Sequence, residues 1–379
     1  MKNWKKYKLG AGCLKIGSGA TPRGGDANYK SEGISLIRSQ NILNFNFSKV
    51  GLAFIDDQQA EELANVEINE RDVLINITGD SVARVCQVPT EILPARVNQH
   101  VAILRADQTK LNPEFLKYSL LAKPIKELLL TFASTGATRK ALTKGMLEAF
   151  EISAPDLYTQ TRIASILSSL DNKIELNRRM NQTLEQMVQA LFNQYCMQGE
   201  IITLSELIEF DPKLSFMKGQ IGTYVEMGDL PEKGLSINHF IAREYNGGSK
   251  FKNDDTLFAR ITPCLENGKT AFVDILNKDE IGFGSTEFIV MRAKRNVSKY
   301  YPYMIARDKS FRDFAIKSMV GTSGRQRVQI EMLLTFEIPK CTDEQMKSFH
   351  EFAEQIFSKV KANSKEIKTL SALRDTLLP

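Results

Sequence analysis

Apolar positions after Ile163 fall at alternating intervals of four and three residues: Ile163, Leu167, Leu170, Ile174, Asn177, Asn181, Leu184, Val188, Leu191 and Tyr195. A second series near the C-terminus repeats the spacing through Phe349, Ala353, Ile356, Val360, Asn363, Ile367, Leu370, Arg374 and Leu377. A mean repeat of 3.5 residues held over about four heptads keeps one narrow stripe of a helix facing a partner, which is the pattern of a coiled-coil seam. An amphipathic helix lying on a globular core shows a wider apolar face instead. The spacing predicts two long helices, over 156–199 and 342–379, paired antiparallel. With maximal overlap Asn181 meets Asn363, Val188 meets Ile356, Leu184 meets Val360 and Tyr195 meets Phe349. Ala353 and Arg374 are weak positions in the second seam.

The segments before each helix, 1–155 and 200–341, read alike. Strand candidates are Asp72–Thr78, Val101–Leu104 and Glu287–Arg292, and 112–130 and 298–316 read as short helices packed beside them. Sliding the chain against itself puts Thr138-Arg139 on Gly324-Arg325, Met146-Leu147 on Met332-Leu333, and Phe150-Glu151-Ile152 on Phe336-Glu337-Ile338. Val101–Ala106 falls on Phe288–Ala293 and Asp72 on Asp255. The chain is two copies of one α+β design, each followed by a long helix, with length changes confined to loops.

Composition narrows the class without naming it. With 379 residues, 42% hydrophobic and 25% charged, the chain reads as globular with two or three domains. No apolar run approaches the ~20 residues that span a bilayer, and the lysines near the N-terminus are not followed by the apolar stretch of a signal peptide. No membrane partner is expected. Five scattered cysteines without a C-x-x-C pair lead us to expect reduced thiols in a cytoplasm, and three histidines lying apart from any cysteine pair give no zinc pattern.

The net charge of +5 is mild, and its excess sits in the two globular segments while the helices balance to zero. Several cations lie in turns of small residues: Gly19-Ala20-Thr21-Pro22-Arg23, Ser134 to Lys140, and Gly321 to Arg327. Such turns let backbone amides approach phosphate oxygens while the arginine supplies charge and base-edge donors. The candidate DNA-contact set is Thr21, Arg23, Arg38, Asn41, Arg84, Arg96, Arg139, Lys140 and Lys144 in the first segment, with Arg243, Arg260, Lys269, Arg325 and Arg327 in the second. Arg139 and Arg325 occupy equivalent places in the two copies.

Catalytic patterns do not assemble. Asn112-Pro113-Glu114-Phe115 lacks the second proline of a base-methylating motif and reads as a helix start, and Glu366-Ile367-Lys368 has no Pro-Asp partner of the nuclease type. There is no phosphate-cradling G-x-x-x-x-G-K-[ST] loop. His100, beside Asn98 and Gln99, reads as a satisfied loop or core residue. No catalytic and no metal-ligating residue is assigned.

The stretch TQTRIASILSSLDNKIELNRRMNQTLEQMVQALF, Thr159 to Phe192, closely resembles the helical region of the specificity subunits of type I restriction–modification systems. Gly19-Ala20-Thr21-Pro22, Ser39-Gln40-Asn41-Ile42 and Phe150 to Pro155 support it. The resemblance implies two duplicated target-recognition domains separated by a pair of long antiparallel coiled-coil helices. It also implies double-stranded DNA as ligand, one half of a split target per domain, and modification and restriction subunits as partners. No cofactor is then expected in this chain, with S-adenosylmethionine, ATP and Mg²⁺ belonging to the partners, and no catalytic activity of its own. The second copy departs from the pattern, because the Thr-Pro turn is missing near Asp211-Pro212. From the residues alone a non-catalytic protein–protein scaffold with duplicated binding domains is the alternative.

Overall fold

The computed structural model describes residues 4–134, 140–322 and 324–379. These fall into two compact units, Met1–Ile174 with Lys368–Pro379, and Glu175–Ile367.

In unit 1 the central sheet has the order Cys13–Ser18, Val101–Ala106, Val73–Asn76, Val85–Gln87, all antiparallel. Val73–Asn76 is buried on both faces, so its sequence runs apolar without alternation. Its side chains point alternately to two cores. Val73 and Ile75 join Phe115, Leu116 and Leu120 of the flanking helices. Leu74 joins Leu36, Ile37 and Ile55 of a smaller sheet, ordered Ala53–Ile55, Ile34–Ile37, Ala95–Val97 with the last pair parallel. Unit 1 is therefore three layers.

Unit 2 repeats the plan. Its central sheet runs Ile208–Phe210, Phe288–Ala293, Thr256–Ala259, Thr270–Phe272, and Leu257 and Phe258 feed opposite cores. Its second sheet, Ile241–Glu244, Ile221–Val225, Gly282–Gly284, Ser249–Phe251, again holds one parallel pair. The strand Ser249–Phe251 corresponds to a single bridge in unit 1, Glu67 to Arg96. Both copies also keep one buried ion pair. Arg105 donates to Asp72 at 2.9 and 2.7 Å, and Arg292 to Asp255 at 2.6 and 2.7 Å. Each aspartate also takes a backbone N–H three residues upstream, from Asn69 and from Lys252, which closes a turn before the central strand.

The helical segment of each copy consists of two short helices. Unit 1 has Pro113–Leu121 and Lys123–Ser134; unit 2 has Tyr301–Arg307 and Lys309–Lys317. Pro124 cannot continue the first hydrogen-bond ladder, and Asp308 leaves the helix to cap the next one by accepting from Phe311 N at 3.0 Å.

The long helices run Leu157–Cys196 and Asp343–Leu377. Asp156 caps the first through Thr159 N at 3.0 Å, and Thr342 with Gln345 forms a reciprocal capping box on the second. Within unit 2, Asn363 bonds Asn181 and Asn177 bonds Glu366, so rising numbers on one helix meet falling numbers on the other. The pairing is antiparallel.

The seam is narrow only along part of its length. Leu167, Ile174, Val188, Phe349, Ala353, Ile356, Val360 and Asn363 are buried, while Ile163, Leu170, Leu184, Ile367 and Leu370 are half-buried. Leu191 and Tyr195 depart from the spacing argument. They are only half-buried, and Phe192 and Cys196 take the inward positions because the helix there lies on the unit 2 core, which needs a wider face. Phe349 accordingly meets Phe192, at 5.4 Å between ring centroids. Leu377 is 46% exposed at the helix end and does not serve as a seam residue. Arg374, expected as a weak position, is buried in unit 1, donates to Asp171 at 2.9 Å and lies over the Phe45 ring. Asp171 also accepts from the Tyr118 hydroxyl at 2.7 Å and pairs with Lys117 at 3.7 Å.

Candidate nucleic-acid interface

Each unit carries a basic loop on the same backbone anchors. In unit 1, Gly79 N donates to Lys140 O at 3.1 Å, Leu142 N to Ile77 O at 2.8 Å and Ile77 N to His100 O at 2.9 Å. In unit 2 the equivalents are Thr262 N to Gln326 O at 3.1 Å, Val328 N to Arg260 O at 2.9 Å and Arg260 N to Glu287 O at 3.0 Å. The strands Met319–Val320 and Arg327–Val328 frame the second loop. Gly321 is required there, since φ is +135° and a Cβ would stand 2.9 Å from Arg325 O. Arg325 and Lys140 are exposed. Arg139 lies outside the described residues.

A second turn is tied to the first of these loops. Gly19 packs so closely on Val97 that a Cβ would fall 1.6 Å from its carbonyl oxygen. The Thr21 hydroxyl donates to Gln99 Oε1, Gln99 Nε2 lies 3.2 Å from His100 Nε2, and His100 Nδ1 lies 2.6 Å from Thr78 Oγ1. A run of hydrogen bonds thus joins the Thr21 turn to the loop root at Thr78. In unit 2 the place of His100 is held by Glu287, which accepts from Arg327 Nε and Nη2 at 2.7 to 3.0 Å. This bonding to Glu287 raises the Arg327 pKa further, so its charge is fixed and already matched.

The other candidates divide by what their donors already do. Arg23 and Arg243 are exposed, the latter 4.6 Å over the Tyr224 ring on an edge strand, and exposed Lys144 pairs with Glu148 at 3.6 Å. Arg38, half-buried, donates to Gly51 O at 2.6 Å, and Arg84 and Arg260 are also half-buried. Three candidates have their polar groups engaged within their own unit. Asn41 is fully buried and closes its own turn, accepting from Arg38 N and donating to Ser48 O and Val50 O. Arg96 is 7% exposed, donates to Ala60 O and Ala95 O, and sits where unit 2 has the buried Phe283. The Lys269 ammonium is shared among the carbonyls of Met227, Gly228 and Leu230. These three hold the fold.

The family model of the type I restriction modification DNA specificity domain matches residues 1–186. The chain is 27% identical over 213 residues to the type I restriction enzyme HindI specificity subunit of Haemophilus influenzae, covering 56% of this chain and 42% of that one. It is 24% identical over 305 residues to the MjaIX specificity subunit of Methanocaldococcus jannaschii, covering 70% and 67%. Over its first 186 residues the chain is similar to type I specificity subunits. The match thus spans under half the length of the Haemophilus subunit. The crystal structure of a type I S subunit from M. genitalium shares the fold, with TM-score 0.55, 16% identity, and coverage of 99% of this chain and 95% of that one.

Residue-by-residue reading gives Gln99 and Glu287 no role and takes His100 only as a satisfied loop or core residue. The duplication was the available signal, because it aligns His100 with Glu287 at the two loop roots. Among the described residues no helix is long and apolar enough to cross a membrane, and no group of three or more His, Cys, Asp or Glu is placed to hold a metal ion.

Proposed function

We propose that the chain reads double-stranded DNA as the specificity subunit of a type I restriction–modification complex, each unit contacting one half of a bipartite, asymmetric target. The observation that carries this reading is the pair of basic loops raised from equivalent backbone anchors, with different side chains at their roots. Equivalent anchors give both units the same way of meeting a duplex, and different roots give them different sequences to read. The long helices set the distance between half-sites and dock the modification subunits, and restriction subunits complete the complex in the cytoplasm. The chain itself performs no catalysis. S-adenosylmethionine serves the modification subunits, and ATP with Mg²⁺ serves the restriction subunits.

Mapping methylated bases after co-expression with the modification subunits tests the reading. A split motif is expected, with only one half changed when residues 1–155 are exchanged for another recognition segment. The isolated chain, given S-adenosylmethionine, ATP and Mg²⁺, is expected neither to methylate nor to cut. Turnover by the isolated chain overturns the non-catalytic role, and salt-insensitive protein binding without DNA preference returns it to a scaffold.

A further inference from the structure

Two of the five cysteines meet inside unit 2. Cys196 ends the first long helix and is fully buried; Cys341 directly precedes the cap of the second and is 6% exposed. Between them the chain makes its whole second globular segment. It returns as the strand Glu337–Lys340, paired with Glu200–Thr203. Gly199 seals that junction, because a Cβ there would stand 2.1 Å from Lys340 O. The Glu200–Lys340 register and the close approach of Gly199 to Cys341 N bring the two thiols together in one apolar core with Phe192, Tyr301 and Phe349. The buried Tyr301 hydroxyl has no hydrogen-bond partner and lies within electrostatic reach of both sulfurs.

We propose that Cys196 and Cys341 form an oxidation site, closed to an intrachain disulfide by a peroxide. Cys341 is the attacking sulfur, since it is the less buried of the two and its neighbour Cys196 holds its thiol below the ordinary range. Its thiolate attacks one peroxide oxygen, the O–O bond breaks and the departing hydroxide takes a proton to become water, leaving Cys341 as a sulfenic acid. Cys196 then gives up its proton and attacks that sulfur. The S–O bond breaks, a second water leaves and the S–S bond forms. The two thiols lose two hydrogens and two electrons, and the peroxide is reduced to two waters. Tyr301 is placed to donate to the sulfenic oxygen between the steps. Cys13 and Cys86 contrast with Cys341, because burial pushes both thiols up to about 12. The product staples the end of one long helix to the start of the other, closing unit 2 at its base.

The full-length reduced chain is treated with hydrogen peroxide, blocked with N-ethylmaleimide in denaturant, and analysed by intact mass and peptide mapping. The expected result is one dithiothreitol-reversible crosslink joining the peptides of Cys196 and Cys341, which persists when Cys13, Cys86 and Cys264 are replaced by serine. In Cys196→Ser, dimedone is expected to trap Cys341 as the sulfenic acid. Wild-type chain whose Cys196 and Cys341 both remain alkylatable after peroxide, or in which either pairs with another cysteine, overturns the proposal. The wild-type map decides even if a variant fails to fold.

Discussion

Asn363 donates its side-chain amide to the Asn181 carbonyl oxygen at 2.8 Å, with Asn363 only 2% exposed. Asn181 in turn donates to Ser364 at 3.4 Å, so the facing asparagines are partnered in a largely apolar stretch, whereas a slip of one heptad leaves each against a hydrocarbon neighbour. With the native cysteines replaced, Asn181→Cys plus Asn363→Cys is expected to form an intrachain disulfide readily, since facing seam positions can approach the ~4.4–6.8 Å between Cα atoms that the bond needs. Preferential crosslinking of Asn181→Cys to Val360→Cys or Ile356→Cys would show a different register.

The duplicated ion pairs predict unit-specific damage. Asp72→Asn leaves Arg105, and Asp255→Asn leaves Arg292, without its carboxylate in a mostly buried position, at a cost of ~3–5 kcal/mol to the unit concerned. Hydrogen exchange should show lost protection in the strands around Val73–Asn76 for the first variant and around Thr256–Ala259 for the second. Equal losses in both units from either variant would mean that the pairs act globally.

Arg325→Ala is expected to weaken DNA binding by ~1–3 kcal/mol and to relax specificity in one half-site only if the side chain reaches a base. A phosphate contact instead weakens binding on every sequence and lowers the salt slope by about one. The sequence equivalence of Arg139 and Arg325 extends the same expectation to Arg139→Ala. Arg96→Ala and Lys269→Ala should behave differently, lowering the urea midpoint while leaving the salt slope unchanged, because both side chains are spent on backbone carbonyls. Binding titrations at several salt concentrations separate the cases.

Acid is expected to favour unit 2 relative to unit 1, because only in unit 2 do raised carboxyls outweigh lowered ones, there Glu280 and Glu354. Burial raises Asp211, Asp274 and Glu185 of unit 2 above their ordinary values. In unit 1, hydrogen bonding from Lys110 and then Thr109 lowers Asp107 to about 2, and the Thr159 backbone N–H lowers Asp156. A raised carboxyl binds its proton sooner in the folded chain, so stability grows as pH falls through its folded value. A depressed one stabilises above its unfolded value and loses that contribution as pH falls toward its folded value. Exchange protection, corrected for intrinsic rates, should therefore rise in unit 2 relative to unit 1 as pH drops from about 6 to about 3, within the carboxylate range. A relative change of the reverse sign would contradict this assignment.

The features that repeat along the chain are legible in the amino-acid order itself. Heptad spacing locates two helices and pairs Asn181 with Asn363, and self-alignment matches Asp72 with Asp255 and the two basic loops. What stays hidden depends on which way a side chain turns. Arg96 and Lys269 look like any other cations in one dimension, and only the strand register at Ala95–Val97 and the carbonyls around Met227 show them turned inward. The shift from Tyr195 to Phe192 and Cys196 escapes for a related reason, since a helix changes its buried face once the surface beneath it changes from a second helix to a globular core.

The first unit is not contiguous in sequence, because Lys368–Pro379 belongs to it. Arg374, which neutralises Asp171 and covers Phe45, is translated long after the rest of that unit. Until synthesis passes residue 374 the earlier unit holds a carboxylate without this guanidinium, and a stop codon at Lys368 would be felt in the part of the unit made first. A fragment ending at residue 367 should accordingly be repairable in trans by a peptide of residues 368–379.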